Sequence, residues 1–241
     1  MDFSKFDRIW LGGDICSETS LRKSTIRYLD DLFDLSKLGN HVAVGNHDIR
    51  NGNLEWFEEY TERPDYYTHF QDGITTIILN TNWNPSDCEQ LDRQYKMIEQ
   101  VCDTIADSKY LIFLQHHNLW SKVPGLPDSE TYSHAALPYW NTNCSSVDAY
   151  FENTIYELQK KVQKRGIQVI NVMGDSGWGK VGSNKSDDDI YFLASGISET
   201  HKYPEKTYFK DRVLVFKHIV AKNELKWEFQ LLDSLYEVHG K

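Results

Sequence analysis

The residues best suited to chemistry lie in the tetrapeptide Gly45-Asn46-His47-Asp48, which follows a short apolar run at 41–44. A β-branched run that stops at Gly-Asn predicts a buried strand that opens into a loop. Asn46 can offer an amide oxygen to a hard cation, and His47 can donate a proton or stabilise an oxyanion. Asp48 can orient the histidine beside it. A capped turn with a hydrogen-bonded histidine is the simpler alternative for so short a motif.

Polar residues follow three further apolar runs. Asp14 comes after the run at 9–11 and lies 32 residues before Asn46, while His116 and Asp175 end two later runs. The carboxyl ends of parallel strands meet in a crevice at the edge of an α/β sheet, so we expect these side chains to converge. The predicted metal ligands are Asp14, Asn46, His116 and Asp175.

Carboxylate, amide and imidazole ligands together suit a divalent metal such as Mn, Fe, Zn or a similar ion, rather than Cu(I). We expect one or two ions. Such an ion could polarise a phosphoryl oxygen and increase the acidity of a water molecule. His47 could then stabilise charge on the phosphate or protonate the leaving oxygen. These residues predict metal-dependent hydrolysis of a phosphomonoester or phosphodiester.

The elements that must position these residues alternate between strands and helices. We predict strands at about 8–12, 41–45, 66–70, 74–79, 110–115, 167–173, 189–195, 212–220 and 225–232. We predict helices at about 21–35, 53–61, 89–106 and 147–165. The first strand, the first helix and the second strand form a βαβ unit, so those two strands should be parallel. The third and fourth strands should pair as a hairpin, and so should the last two.

Composition excludes several classes of protein. The 241 residues, of which 40% are apolar, suffice for a single domain over 1–241 with a real core. The net charge of −10, with no long run of Lys and Arg, disfavours a nucleic-acid surface. No apolar run approaches 18 residues, so we expect no membrane span. The expected partner is a small-molecule or phosphorylated substrate, and the oligomeric state stays open.

Cysteine usage bears on the cellular compartment. Cys16, Cys88, Cys102 and Cys144 are widely spaced and form no Cys-x-x-Cys pair. This spacing excludes a zinc ribbon and predicts reduced thiols in a cytoplasmic protein. The N-terminus also shows no signal-peptide pattern.

A long segment without a clear element, at about 118–146, interrupts the alternation of helices and strands. It contains three prolines and several aromatic residues, among them Trp120, Tyr132, Tyr139 and Trp140. A loop of this length inside a compact domain is either functional or disordered. We expect an ordered lid or pocket wall, and a loop packed on the surface is the alternative.

The motifs Gly-Gly-Asp14, Gly45-Asn46-His47-Asp48 and His116-His117 occur in this order, the last at a strand end. In this combination the chain resembles the calcineurin-like metallophosphoesterase superfamily over about 8–200. The resemblance implies an α/β fold, a four-layer α/β/β/α sandwich with its metal site at the strand ends. It implies that Asp14 bridges two metals and that Asn46 and His116 hold the second. It also implies that His47 is the catalytic acid or stabilises the transition state, with Asp48 behind it.

Two motifs of that family are absent or altered here. The family's Asp-x-His is missing, because the 13 residues before Asp14 contain no histidine. The family's Gly-His-x-His appears as Gly174-Asp175-Ser176-Gly177, where Asp175 could replace the first histidine. Three interpretations follow: an N-terminally truncated phosphoesterase, a one-metal form of the fold that lacks its first strand, or a catalytically inactive binding or scaffold protein.

Three other histidines are weaker candidates. His117 could be a second ligand or a packing residue, His201 could replace a missing ligand, and His134 could contact substrate. The Gly-Asp-Ser-Gly at 174–177 also invites a serine-hydrolase interpretation. The alternation of helices and strands and the absence of a Gly-x-Ser-x-Gly elbow argue against it.

Overall fold

The computed structural model describes residues 3–84, 86–128, 150–176, 181–197 and 211–239. The strands are β1 Trp10–Leu11, β2 His41–Val42, β3 Tyr67–Gln71, β4 Ile74–Ile78, β5 Tyr110–Gln115, β6 Gln168–Met173, β7 Gly182–Lys185, β8 Tyr191–Ala194, β9 Arg212–Ile219 and β10 Glu224–Leu231. The helices are α1 Lys23–Phe33, α2 Asn46–Ile49, α3 Leu54–Thr61, α4 Cys88–Thr104, α5 Ile155–Lys164 and α6 Leu232–His239. The predicted mixed α/β class is confirmed.

The largest sheet has six strands in the order β3-β4-β5-β6-β8-β7. Its inner strands β4, β5, β6 and β8 run parallel, whereas β3 and β7 are antiparallel to their neighbours. Every residue of β4 and β5 is buried, as expected for parallel strands covered on both faces. The predicted hairpin of the third and fourth strands is confirmed by the β3–β4 pair.

The two faces of this sheet bury different partners, because successive side chains of a strand point to opposite sides. Leu111 and Phe113 belong to the apolar cluster that includes residues of α4 and α5. Tyr110 and Ile112 belong to the cluster that includes Trp10 and residues of β9 and β10. Strands β9 and β10 pair as the predicted antiparallel hairpin.

Strands β1 and β2 form a separate parallel pair, with Trp10 opposite His41 and Leu11 opposite Val42. The helix α1 connects them, so the predicted βαβ unit is confirmed. Apolar residues of α1 and α3 pack with Val42 in a further cluster. Because β1 and β2 are parallel neighbours, the loops that follow them lie side by side.

Three elements escaped the sequence prediction. The four-residue helix α2 begins at Asn46, where the sequence predicted a loop. The edge strand β7 has no apolar alternation, because its sequence is Gly-Ser-Asn-Lys. The helix α6 directly continues β10 without a turn residue between them, so no local signal separates the two. Among the helices of the described segments, none is both long enough and apolar enough to cross a membrane.

The cysteines correct one prediction. Cys88 is disulfide-bonded, whereas Cys16 and Cys102 are in the thiol form. The prediction of four reduced thiols is therefore wrong for Cys88, and the cytoplasmic location loses that argument. Wide spacing along the chain did not exclude a disulfide, because the bond requires only that two Cα atoms come within about 4.4–6.8 Å in space. Cys144 lies outside the described residues.

The start of the predicted lid segment belongs to the core. Trp120 is 1% exposed, its ring centroid lies 5.0 Å from that of Phe192, and its Nε1–H donates to Pro127 O at 3.1 Å. Trp120 therefore stabilises the fold rather than lining a substrate pocket. The rest of that segment, from 129 to 146, lies outside the described residues, including its other predicted aromatic wall residues Tyr132, Tyr139 and Trp140.

Candidate functional site

The side chains predicted at three of the strand ends meet around Asp14. His116 Nε2 lies 3.3 Å from Asp14 Oδ2 and 3.9 Å from Asp175 Oδ1. His47 Nε2 lies 3.9 Å from Asp14 Oδ2 on the other side. The convergence arises because β5 and β6 are parallel neighbours that end together, and the β1–β2 pair ends against them.

Glycines permit this close approach of backbone segments. Gly13 has a φ of 89°, and a Cβ there would lie 2.6 Å from His116 Nδ1. At Gly174, a Cβ would lie 2.1 Å from the carbonyl oxygen of Gly12. Real Cβ atoms do not approach other atoms so closely, so a side chain at either position would push the strand ends apart. The Gly-Gly-Asp and Gly-Asp motifs are therefore required by packing as well as by chemistry.

His116 presents one buried nitrogen to two carboxylates. Its Nδ1 lies 2.8 Å from Gly12 O, and a carbonyl only accepts, so Nδ1 carries hydrogen. Its Nε2 is buried and has no hydrogen-bond partner among the described residues. Burial lowers the pKa of His116, but the contacts with Asp14 and Asp175 outweigh burial and raise the pKa above its ordinary value. The pocket therefore favours a positive charge between this nitrogen and the carboxylates.

His47 stands at the solvent side of the same carboxylate. Its side chain is 37% exposed, compared with 1% for His116. Its Nδ1 lies 3.0 Å from Ser17 O, so Nδ1–H donates to that carbonyl and Nε2 is left for the site. The sequence prediction assigned this orienting role to Asp48, and the structure corrects it, because a neighbour along a helix points away from the histidine.

Asp14 adopts a backbone conformation that is unusual for a residue with a side chain. Its φ is 52°, in the left-handed region, which costs about 1–2 kcal/mol. Its Oδ1 accepts the backbone N–H of His47 at 2.8 Å. Burial raises the pKa of Asp14, but His116 and the contacts with His47 lower it by a larger amount. The pKa of Asp14 therefore lies below its usual value.

Asp48 holds the loop of Asp14 instead of the His47 ring. Its Oδ2 accepts the backbone N–H of Asp14 at 2.7 Å and that of Gly45 at 2.9 Å. Its Oδ1 accepts the N–H of Ile15 at 3.0 Å and the hydroxyl of Thr19 at 2.5 Å. Burial raises the pKa of Asp48, and these donors act in the opposite direction. We name this group of five residues the Asp48 clamp.

The remaining predicted residues are Asn46 and three histidines, and the structure places them in different surroundings. Asn46 is the first residue of α2 and is exposed. His117 is 5% exposed, and its Nδ1 lies 2.9 Å from the Thr81 hydroxyl. Burial, and secondarily the charge of His116, lower the pKa of His117 to about 4. His134 and His201 lie outside the described residues.

A polar network after β4 was missed by the sequence prediction. The backbone N–H of Asn80 donates to Gln94 Oε1, and Gln94 Nε2 donates back to Asn80 O, both at 3.0 Å. Asn82 Nδ2 donates to Val44 O at 2.8 Å and ties this loop to the end of β2. The signal was present, because Asn80 to Asn82 is one more polar sequence directly after an apolar strand.

A metal ion suits these donors chemically. Within the described segments, no group of three or more His, Cys, Asp and Glu side chains is arranged to hold a metal as it stands. However, two ligands about 2.1 Å from one ion lie about 3.0–3.4 Å apart, and Asp14 Oδ2 and His116 Nε2 are 3.3 Å apart. The buried lone pair of His116, faced by Asp14 and Asp175, therefore fits a divalent cation.

Comparison of the chain with protein-family models gives no match, and comparison with curated proteins gives none either.

Proposed function

We propose that the chain hydrolyses a phosphate monoester or diester with the help of a divalent metal ion. The observation that supports this most is the buried Nε2 of His116, which lies between the carboxylates of Asp14 and Asp175 at 3.3 Å and 3.9 Å. Nitrogen and carboxylate oxygens converging on one point are the donor set of a Mn, Fe or Zn site. The substrate is a small molecule or another phosphorylated molecule.

The packing supports a four-layer α/β/β/α arrangement of the metallophosphoesterase type. One apolar cluster joins α4 and α5 to the six-stranded sheet, and a second joins that sheet to β9 and β10. A third joins α1 and α3 to β2. In the proposed arrangement the two-stranded sheets β1–β2 and β9–β10 together supply the second strand layer, and the rings of Trp10 and Phe216, 5.6 Å apart between centroids, join them.

The four proposed metal ligands supply three kinds of donor atom. Asp14 and Asp175 supply carboxylate oxygens, His116 supplies Nε2, and Asn46 would supply an amide oxygen from the first turn of α2. When bound, a divalent ion polarises a phosphoryl oxygen and increases the acidity of the attacking water. The hydrogen bond from His116 Nδ1 to Gly12 O orients the ring for this role and sets its tautomer.

His47 is the proposed acid. Because its Nδ1–H is committed to Ser17 O, its Nε2 is the nitrogen that faces the site, and in the imidazolium form that nitrogen carries a proton that can be donated there. That atom lies 3.9 Å from Asp14 Oδ2, at the exposed side of the cluster where a substrate can enter. His47 would hold charge on the phosphate in the transition state and give a proton to the leaving oxygen.

The test measures hydrolysis of p-nitrophenyl phosphate and bis(p-nitrophenyl) phosphate by the chain loaded with Mn²⁺. We expect Asp14→Asn and His47→Ala each to reduce turnover by at least about 100-fold, the usual scale for a lost electrostatic or acid–base group. Elemental mass spectrometry separates the two roles, because only Asp14→Asn should lose bound Mn²⁺. His69→Ala, on the edge strand β3, is the control and should retain wild-type turnover.

Two results would contradict the proposal. Near-unchanged turnover in both variants would refute the assigned site. Bound Mn²⁺ without turnover of either substrate would favour the alternative, a catalytically inactive phosphoesterase-fold binding or scaffold protein.

A further inference from the structure

One member of the Asp48 clamp, Thr19, lies between β1 and α1 and is fully buried. Thr19 is 0% exposed, although its side chain is polar and it begins a 3-10 helix of only three residues, Thr19–Leu21. Its hydroxyl donates to Asp48 Oδ1 at 2.5 Å and accepts the backbone N–H of Cys16 at 3.2 Å. The contact with Cys16 is local, three residues along the chain, whereas the sequence gives no sign of the contact with Asp48, which lies 29 residues away.

We propose that Thr19 is a positioning residue for the metal site, acting through the Asp48 carboxylate on the backbone of Asp14. The inference rests on the proposed function, because it concerns the affinity of that same site. It assigns to Thr19 no contact with metal or substrate. Its effect passes through two hydrogen bonds, from Thr19 to Asp48 and from the Asp14 backbone N–H to Asp48.

The clamp is complete only with Thr19. A carboxylate has about four lone-pair positions, and Asp48 accepts four hydrogen bonds, two on each oxygen. Three of its donors are backbone N–H groups that cannot rotate away from their chain. Of these four donors, the Thr19 hydroxyl is the only one from a side chain. It holds Asp48 Oδ1 in the position where that oxygen also accepts the N–H of Ile15.

The conformation of Asp14 explains why this matters for metal binding. Its backbone N–H binds Asp48 Oδ2, and its φ of 52° is unfavourable without external support. If Asp48 shifts, the left-handed conformation of Asp14 loses that support, and Asp14 Oδ2 no longer stays 3.3 Å from His116 Nε2. Loss of Thr19 should therefore weaken metal binding without removing any ligand.

The test is isothermal titration of the apo chain with Mn²⁺. Thr19→Val keeps the shape of the side chain but removes the hydroxyl, and we expect its Kd for Mn²⁺ to rise about 10- to 100-fold, as for other outer-shell groups of metal sites. Thr19→Ser keeps the hydroxyl and should restore affinity to within about threefold of wild type. At saturating Mn²⁺, turnover by Thr19→Val should approach the wild-type value.

Thr61→Val is the matched control. Thr61 is also buried, and its hydroxyl donates to Phe57 O at 2.7 Å in α3. The change removes the same group, and we expect the Mn²⁺ affinity to stay at the wild-type value. If Thr19→Val does not fold, which urea denaturation reports, Thr19→Ala replaces it with the same expected loss of affinity.

Three results would overturn the inference. Equal Mn²⁺ affinity in wild type and the Thr19 variant would refute it while leaving the proposed function intact. Equal weakening by Thr61→Val would show that the loss reflects general destabilisation. Absence of Mn²⁺ binding by the wild-type chain would refute the proposed function first, and the inference with it.

Discussion

The two histidines that face Asp14 are held by different regions of the molecule. His116 directly follows β5, whose six residues are all buried and paired on both sides within the six-stranded sheet. His47 lies in α2, a helix of four residues between two loops. In both residues the ring is oriented by an Nδ1–H that donates to a backbone carbonyl. The two residues therefore differ in the structure that holds their backbone and not in how the ring is oriented.

The difference shows two ways to fix a site. On the β5–β6 side, the hydrogen bonds between the strands and the apolar core together fix the position of the strand ends, so no single contact is essential. On the β1–β2 side, the strands have two residues each, so one carboxylate must join the two loops. The second region should be more sensitive to single substitutions, and the following predictions examine that expectation.

The largest effect should come from Asp48→Ala. The change removes the acceptor of three backbone N–H groups, one buried and two half-buried, and of the buried Thr19 hydroxyl, and each group left unsatisfied costs about 1–3 kcal/mol. We expect the free energy of unfolding to fall by at least about 4 kcal/mol, measured by urea denaturation.

Asp30→Ala is the comparison for that change, because Asp30 Oδ1 accepts one backbone N–H, from Leu35 at 3.0 Å. We expect a loss below about 1.5 kcal/mol. Similar losses for the two aspartates would show that the clamp stabilises no more than an ordinary surface contact.

Gly13→Ala should have the next largest effect. A methyl group at Gly13 would meet both His116 Nδ1 at 2.6 Å and the Gly45 backbone nitrogen at 2.7 Å, at a φ of 89°. We expect a loss of about 2–4 kcal/mol in the free energy of unfolding, the sum of left-handed strain and overpacking. Mn²⁺ affinity should fall as well, because the two halves of the site are separated.

Gly52→Ala isolates the strain from the crowding. Gly52 also has a positive φ, of 76°, but no atom lies within 4 Å of the position of a Cβ. We expect a loss of about 1–2 kcal/mol from strain alone and no change in Mn²⁺ affinity. If the two variants lose equal stability, the crowding at Gly13 is not real.

The smallest effect concerns pH. Burial, with smaller effects of His69 and Arg63, lowers the pKa of His41 in β2 to about 3. Between pH 6.5 and pH 3 the unfolded chain therefore binds a proton that the folded chain excludes, so His41 makes stability fall as pH falls. From pH 7 to pH 5 this amounts to about 1–2 kcal/mol.

His41→Gln removes that titration. We expect its free energy of unfolding to fall less between pH 7 and pH 5 than that of wild type, by the same amount, in urea denaturation at each pH. Parallel pH dependences in the two proteins would contradict a buried neutral His41.

Local pattern was sufficient wherever a strand or helix is long and apolar. The predicted strand at 110–115 matches β5 to the residue, and the predicted hairpins and βαβ unit are all present. It failed at β7, where polar residues at a sheet edge have no periodicity. It also failed for Cys88, since a disulfide depends on distance in space and not on spacing along the chain.

Residue types and strand ends alone were enough to choose Asp14, His47, His116 and Asp175, because parallel strands that end together must bring their last residues together. The roles of Thr19 and Asp48 could not be read in the same way. Asp48 accepts backbone N–H groups of a loop more than thirty residues away, and those groups are the same in every amino acid. Thr19 in turn donates to Asp48 across 29 residues. Such contacts leave no mark in side-chain patterns, so they emerge only when the chain is folded.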